Sequence, residues 1–66
     1  MEKYFIYNCF TTKEQMEELK NHLNMNGYDF SINGMTISIY EEEANYVETI
    51  MDDRNIEYIL YDTEWK

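Results

Sequence analysis

Carboxylates are the most numerous side chains in this sequence that could do chemistry. Fourteen Asp and Glu residues stand against five Lys and Arg residues, which gives a formal net charge of −9. Closely spaced carboxylates can bind a divalent cation, act as general acids and bases, or attract a basic partner. Glu41, Glu48 and Asp52 follow at i, i+7 and i+11, so a helix would align them on one stripe. The first question is which of these three chemistries the pattern favours.

Metal binding and catalysis are disfavoured by the spacing of the other polar residues. Glu41-Glu42-Glu43 and Asp52-Asp53 lie in no EF-hand pattern with its fixed glycine and terminal glutamate. The single His and single Cys form no zinc-ligand or Cys/His catalytic spacing, and no phosphate loop or dinucleotide fingerprint occurs. We therefore expect no enzyme activity, no metal and no cofactor.

Attraction of a basic partner is favoured by the shortage of compensating charge. Nine carboxylates in residues 34–66 stand against Arg54 and Lys66 alone. A helix that only needs to stay soluble usually mixes the two signs at i, i+4, whereas like charges at that spacing destabilise it by tenths of a kcal/mol per pair. That cost indicates selection for something other than stability. The predicted partner-binding residues are Glu14, Glu17, Glu18, Glu41, Glu42, Glu48, Asp52 and Asp53.

Two helices should position these carboxylates. Thr12 is the predicted N-cap of the first helix, with Gln15 at the N3 position of a capping box and Gly27 ending the helix. The second helix is predicted over residues 41–55, with three glutamates in its first turn and Asn55 as its left-handed C-terminal residue. Ala44, Val47, Ile50 and Met51 form its apolar stripe.

Four strands complete the chain. They are predicted over residues 4–10, 28–32, 35–40 and 56–61, followed by a short tail over 62–66. Asn33-Gly34 predicts a two-residue type I′ hairpin turn between the second and third strands. The order βαββαβ indicates an α+β, ferredoxin-like sandwich: a four-stranded antiparallel sheet in the order 4-1-3-2 with two helices on one face. Residues 1–66 form one compact acidic domain.

The sheet face away from the helices is the second candidate interaction surface. Alternation places Tyr28, Phe30, Ile32, Met35, Ile37, Ile39, Ile56, Tyr58 and Leu60 towards the helices. The first strand is apolar on both faces, so either Tyr4, Ile6 and Phe10 or Phe5, Tyr7 and Cys9 face outward. Tyr40, Ile59 and Tyr61 are the predicted sheet-face interface, which offers a homodimer contact.

Composition also bears on compartment and on other partners. A single cysteine, no signal-peptide pattern and no long apolar run indicate a cytoplasmic protein that does not enter a membrane. An acidic surface disfavours anionic lipid and direct nucleic-acid binding, since both select Lys and Arg. Tyr4-Phe5-Ile6-Tyr7-Asn8 faintly resembles the first-strand motif of RNA-recognition domains, but residues 35–40 lack the partner motif.

In size, charge and aromatic content the chain resembles the small DNA-mimic inhibitors that phages and mobile elements encode. No motif of a particular family underlies this resemblance. It implies a protein-binding inhibitor that blocks the nucleic-acid site of a basic host protein, such as a repair, restriction or CRISPR enzyme or a transcription factor. The alternative is a small ferredoxin-like interaction or dimerisation module whose acidity serves only solubility.

Overall fold

The computed structural model describes residues 1–66 as an α+β fold of four strands and two helices. The strands are β1 (Lys3–Phe10), β2 (Phe30–Asn33), β3 (Thr36–Tyr40) and β4 (Glu57–Trp65); the helices are α1 (Lys13–Met25) and α2 (Ala44–Asp53). A single 3-10 turn (Glu41–Glu43) leads into α2. Neither helix has the length and apolar character needed to cross a membrane.

The four strands form one antiparallel sheet in the order β2-β3-β1-β4, which is the predicted order read from the opposite edge. Both helices pack on the same face of this sheet, because residues from both share one buried cluster with the inward side chains of β1 and β3. The cluster comprises Tyr7, Cys9, Met16, Leu19, Leu23, Ile37, Ile39, Ala44, Val47, Met51 and Ile56. Phe5 packs against it too, so Phe5, Tyr7 and Cys9 face the helices, and Tyr4, Ile6 and Phe10 face outward.

Three of the four helix ends form where local chemistry predicts them. The Thr12 hydroxyl accepts a hydrogen bond from the Gln15 backbone N–H at 3.2 Å, which makes Thr12 the N-cap of α1. Gly27 (φ +71°) and Asn55 (φ +57°) adopt the left-handed conformation after α1 and α2. The backbone N–H of Tyr28 donates to the C=O of Leu23, so α1 ends in a Schellman motif. α2 ends in the same motif.

The hairpin between β2 and β3 turns one residue later than predicted. Asn33 pairs with Thr36, so Gly34 and Met35 are the two loop residues. Positive φ at the first of these (Gly34, +63°) and not at the second is the pattern of a type II′ turn, not type I′. Ile32 therefore pairs with Ile37, a shift of two residues that keeps every side chain on its predicted face. The exception is Met35, which lies exposed in the turn.

The second helix differs from the prediction over its first turn. Glu41–Glu43 form the 3-10 turn, and regular α-helix runs only from Ala44 to Asp53. No side chain caps this entry. Adjacent glutamates repel one another, and each of the three is held by a different neighbour in the sheet or its loops, which favours the tighter turn.

The last strand is longer than predicted, and the expected tail is part of it. Lys3 pairs with Trp65, and Glu2 and Lys66 exchange two backbone hydrogen bonds beyond that pair. The register shifts where Ile6 pairs with Asp62 and Tyr7 with Leu60, which leaves Tyr61 as the extra residue of a β-bulge. Pairing along the whole of β1 thus orders a polar segment that local sequence indicates as a tail.

Candidate functional site

We call the eight predicted partner-binding carboxylates the acidic helix layer. All are exposed except Glu48, which is half-buried. Glu48 follows Ala44 by four residues and precedes Met51 by three, so it lies beside the apolar stripe of α2 rather than opposite it. The other seven carboxylates are exposed to solvent, and Glu42 among them reaches Tyr40 of the open sheet face.

The acidic helix layer is divided into two groups rather than one continuous stripe. Arg54, at the end of α2, contacts Glu18 of α1 at 3.3 Å, which brings the α1 carboxylates beside Asp52 and Asp53. Glu41 lies at the other end of α2 and contacts Lys3 at 3.8 Å. Counting the rise along the 3-10 turn and the α-helix, Glu41 and Asp52 are separated by roughly 18 Å.

Glu48 is withdrawn from the surface by a hydrogen bond. Its carboxylate accepts from the hydroxyl of Tyr7, which is fully buried in the central strand. Burial, together with this bond, raises the pKa of Tyr7 well above its usual range. Tyr58 packs edge-on against Tyr7 at 5.5 Å, and burial and the nearby Asp52 carboxylate raise the pKa of Tyr58 to about 12. Tyr7 is therefore a neutral hydrogen-bond donor to Glu48.

Little of the negative charge is compensated within the chain. Only Glu18 and Glu41, among fourteen carboxylates, lie within 4.0 Å of a basic side chain. Both pairs are partly exposed, so each contributes little to stability. Glu14, Glu17, Asp52 and Asp53 have no ion-pair partner, and they remain available to a cationic partner.

Tyr40, the first predicted sheet-face residue, belongs to an aromatic pair on the open face. Its ring lies 5.7 Å from that of Tyr4, and its hydroxyl donates to Glu42 at 2.9 Å. The Tyr4 hydroxyl donates to Asp29 at 2.6 Å, and this bond is the main reason that the pKa of Tyr4 is raised to about 12. Tyr40 is thus half-buried and engaged within the chain.

The other two predicted sheet-face residues, Ile59 and Tyr61, lie on β4, and each is about half exposed. Ile59 pairs with Asn8, whereas Tyr40 pairs with Tyr4, four residues earlier on β1. At strand spacing this puts Tyr40 on the order of 13 Å from Ile59 along the sheet. The structure therefore does not bring the three predicted interface residues into one patch.

β4 carries exposed side chains that the sequence reasoning missed. Leu60 faces the helix side as predicted, but it is 49% exposed, and Trp65 is 58% exposed. The reason is length, because α2 spans about 15 Å and β4 about 30 Å, so the helix does not cover the strand's far end. Lys3 lies 5.7 Å from the centre of the Trp65 ring. The strand-favouring residues Tyr61, Thr63 and Trp65, which alternate with Asp62 and Glu64, could have indicated this strand.

Cys9 and the potential metal donors complete the chemically reactive groups. The thiol is buried, lies 3.9 Å from the sulfur of Met51, and has its pKa raised to about 11 by burial. No three His, Cys, Asp or Glu side chains are grouped as a metal ion would require. The arrangement can thus present charge and apolar surface to a partner.

No protein-family model, curated protein or solved structure matches this chain. The acidic helix layer and the exposed strand β4 are the two candidate interaction surfaces of the molecule. The first carries charge, and the second carries both exposed apolar side chains and carboxylates.

Proposed function

We propose that this chain is an acidic protein-binding inhibitor that occupies the nucleic-acid-binding site of a basic protein. The observation that carries the proposal is the exposed and uncompensated charge of the acidic helix layer. Seven of its eight carboxylates are exposed, and only two of those contact a basic side chain. The proposal includes no catalytic step and no cofactor.

Electrostatics supports such a role through the encounter of the two proteins. A protein that binds nucleic acid has a basic groove, and complementary charge accelerates association and excludes wrong partners. The two sets of carboxylates, one at each end of α2, offer separate anchor points to such a groove. In this account the layer stands in for the phosphates of a nucleic acid, as in a DNA mimic.

The scaffold is part of the proposal. We infer that the fold is ferredoxin-like, which the strand order and the position of both helices on one sheet face support. In that fold the connections from β1 to β2 and from β3 to β4 are right-handed. The buried free thiol of Cys9 is compatible with a reducing cytoplasm, which we propose as the compartment.

Matched triple variants test the role of the acidic helix layer. Glu14→Gln, Glu17→Gln and Asp53→Asn remove three of its unpaired charges; Glu57→Gln, Glu64→Gln and Asp62→Asn remove three from β4. Both variants have the same net charge. In affinity capture from a host-cell lysate, wild type should retain a protein that duplex DNA displaces. We expect the helix-layer triple to lose that protein and the β4 triple to keep it.

The outcome that contradicts this proposal is equally specific. If both triples retain the same protein, or if duplex DNA never displaces it, the carboxylates of the helix layer do not mimic nucleic acid. Retention of wild-type folding by each variant, checked by circular dichroism, ensures that the comparison concerns charge alone.

The second candidate is an interaction or dimerisation module whose charge serves solubility. Four of the nine exposed large apolar side chains, Ile59, Leu60, Tyr61 and Trp65, lie on β4, which is the observation that favours it. A self-associating module should change its sedimentation coefficient with concentration and lose that dependence in an Ile59→Ser variant. A concentration-independent monomer contradicts this second candidate.

A further inference from the structure

β4 is an edge strand whose outer side pairs with nothing. It is the last strand in the order β2-β3-β1-β4, so only β1 hydrogen-bonds to it. Eight of its nine residues are exposed. Long exposed edge strands are templates for pairing with another chain, and natural proteins usually shorten or cover them. Here neither helix covers the strand beyond its first residues.

The outward backbone groups of β4 can be assigned from the ladder. Glu2 and Lys66 exchange both hydrogen bonds, so alternation along an antiparallel pair turns Glu64 and Asp62 towards β1, and Thr63 and Trp65 outward. Thr63 confirms this, because its N–H donates to the Asp62 carboxylate at 2.8 Å rather than to a strand. The free edge therefore offers the outward C=O groups of Thr63 and Trp65 and the N–H of Trp65, while Asp62 occupies the N–H of Thr63.

The two faces of β4 differ in chemistry. The β1 register places Glu57, Asp62 and Glu64 on the open face, because they pair with the outward residues Phe10, Ile6 and Tyr4. Tyr58, Leu60 and Trp65 lie on the helix side, and the last two are exposed. None of the three carboxylates has an ion-pair partner. An added strand would thus meet carboxylates on the open face, where Ile59 is the apolar exception, and apolar side chains on the other face.

We propose that the free edge of β4 binds an extended segment of another protein in which basic and apolar residues alternate. Its backbone pairs with the outward groups of Thr63 and Trp65. Its basic side chains meet Asp62 and Glu64, while its apolar side chains continue the surface of Leu60 and Trp65. We place this segment on a different protein from the one that the acidic helix layer binds, so this docking mode does not depend on the role proposed for that layer.

Charge selects this occupant over a second copy of the chain. Two copies joined along β4 would bring together molecules of charge −9 each and place two sets of β4 carboxylates on one sheet face. A basic segment neutralises the same carboxylates. The Asp62 carboxylate accepts the hydrogen bond of the Thr63 N–H in the free protein. When a cationic side chain of the segment binds Asp62, the Thr63 N–H becomes free to pair with the segment.

A synthetic peptide of the length of β4, alternating lysine and valine, tests the proposal. Trp65 is the only tryptophan and reports binding through its fluorescence. We expect the emission of Trp65 to shift to shorter wavelength as the peptide is added. The peptide with the same residues in two blocks should bind about tenfold more weakly, because it cannot place its basic side chains on one face and its apolar side chains on the other and so loses cross-strand side-chain pairs.

Two further comparisons separate strand pairing from charge attraction. Methylating alternate backbone nitrogens of the peptide should weaken binding without changing its charge. On the protein side, Thr63→Pro removes an outward N–H but no hydrogen bond to β1, and it should also weaken peptide binding. Thr63→Val keeps that N–H and should leave peptide binding unchanged. Equal binding of the alternating, block and methylated peptides overturns the proposal. So does self-association of the chain through β4 with no response to any peptide.

Discussion

The hydroxyl of Tyr7 donates a hydrogen bond to the carboxylate of Glu48, which joins the centre of the sheet to α2. Tyr7 is fully buried and Glu48 half-buried, so the bond places a charged acceptor at the margin of the core. A carboxylate in such a position is stabilised by its donor and costly without it. The most acidic helix of the chain is therefore held in place partly by one of its own charges.

Removing the Tyr7 hydroxyl should destabilise the fold. We expect Tyr7→Phe to lower the free energy of unfolding by about 1–3 kcal/mol, because Glu48 then lacks its buried donor. Tyr46→Phe is the matched control, since Tyr46 lies on α2 with 64% of its surface exposed and should change stability by less than about 0.5 kcal/mol. Urea unfolding measures both. Equal effects of the two substitutions would show that the bond contributes nothing.

The buried phenols should make the fold sensitive to high pH. The pKa values of Tyr4 and Tyr58 are raised from an ordinary 10.0 to about 12 in the folded protein. The unfolded chain therefore loses these protons first, so the stabilisation is complete below pH 10 and declines as the pH rises towards 12. Urea midpoints across this range should fall in wild type and fall less steeply in Tyr58→Phe. Parallel slopes for the two proteins would exclude a contribution from Tyr58.

The left-handed residue after α2 offers a test of backbone strain. Asn55 has φ +57°, a conformation that glycine adopts freely and that costs a residue with a Cβ about 1–2 kcal/mol. We expect Asn55→Gly to leave stability unchanged or raise it, and Asn55→Ala to lower it by about 1 kcal/mol. Thermal unfolding measures the order of the three proteins. If Asn55→Ala were more stable than wild type, residue 55 would not adopt the left-handed conformation after α2.

The sequence predicts three of the four helix ends and the element order because these depend on local chemistry. Thr12, Gly27 and Asn55 each satisfy a backbone requirement within one turn of the helix they bound. The hairpin register and the length of β4 depend instead on the partner strand. Ile37 pairs with Ile32 and Trp65 with Lys3 because β1 and the core favour those alignments over the local turn and tail patterns.

The candidate surfaces could be predicted only in part for the same reason. Exposure of the helix carboxylates follows from their spacing against the apolar stripe. The sequence predicts one stripe for Glu41, Glu48 and Asp52, which assumes one continuous helix. The 3-10 turn removes Glu41 from that stripe. Glu48 lies at the margin of the apolar stripe because it follows Ala44 by four residues and precedes Met51 by three. The exposure of Leu60 and Trp65 depends on the relative lengths of α2 and β4, which only the assembled fold reveals.

The central claim is that the acidic helix layer binds where nucleic acid binds on a basic partner. Its most direct test is the Kd of that captured partner for wild type and for the two matched triples, measured by calorimetry with and without duplex DNA. We predict that the helix-layer triple weakens binding at least about tenfold, or 1.4 kcal/mol. The β4 triple should bind with nearly the Kd of wild type. Duplex DNA should compete with the binding of wild type and of the β4 triple. Equal affinities of the two triples, or binding that DNA leaves unchanged, would contradict the account.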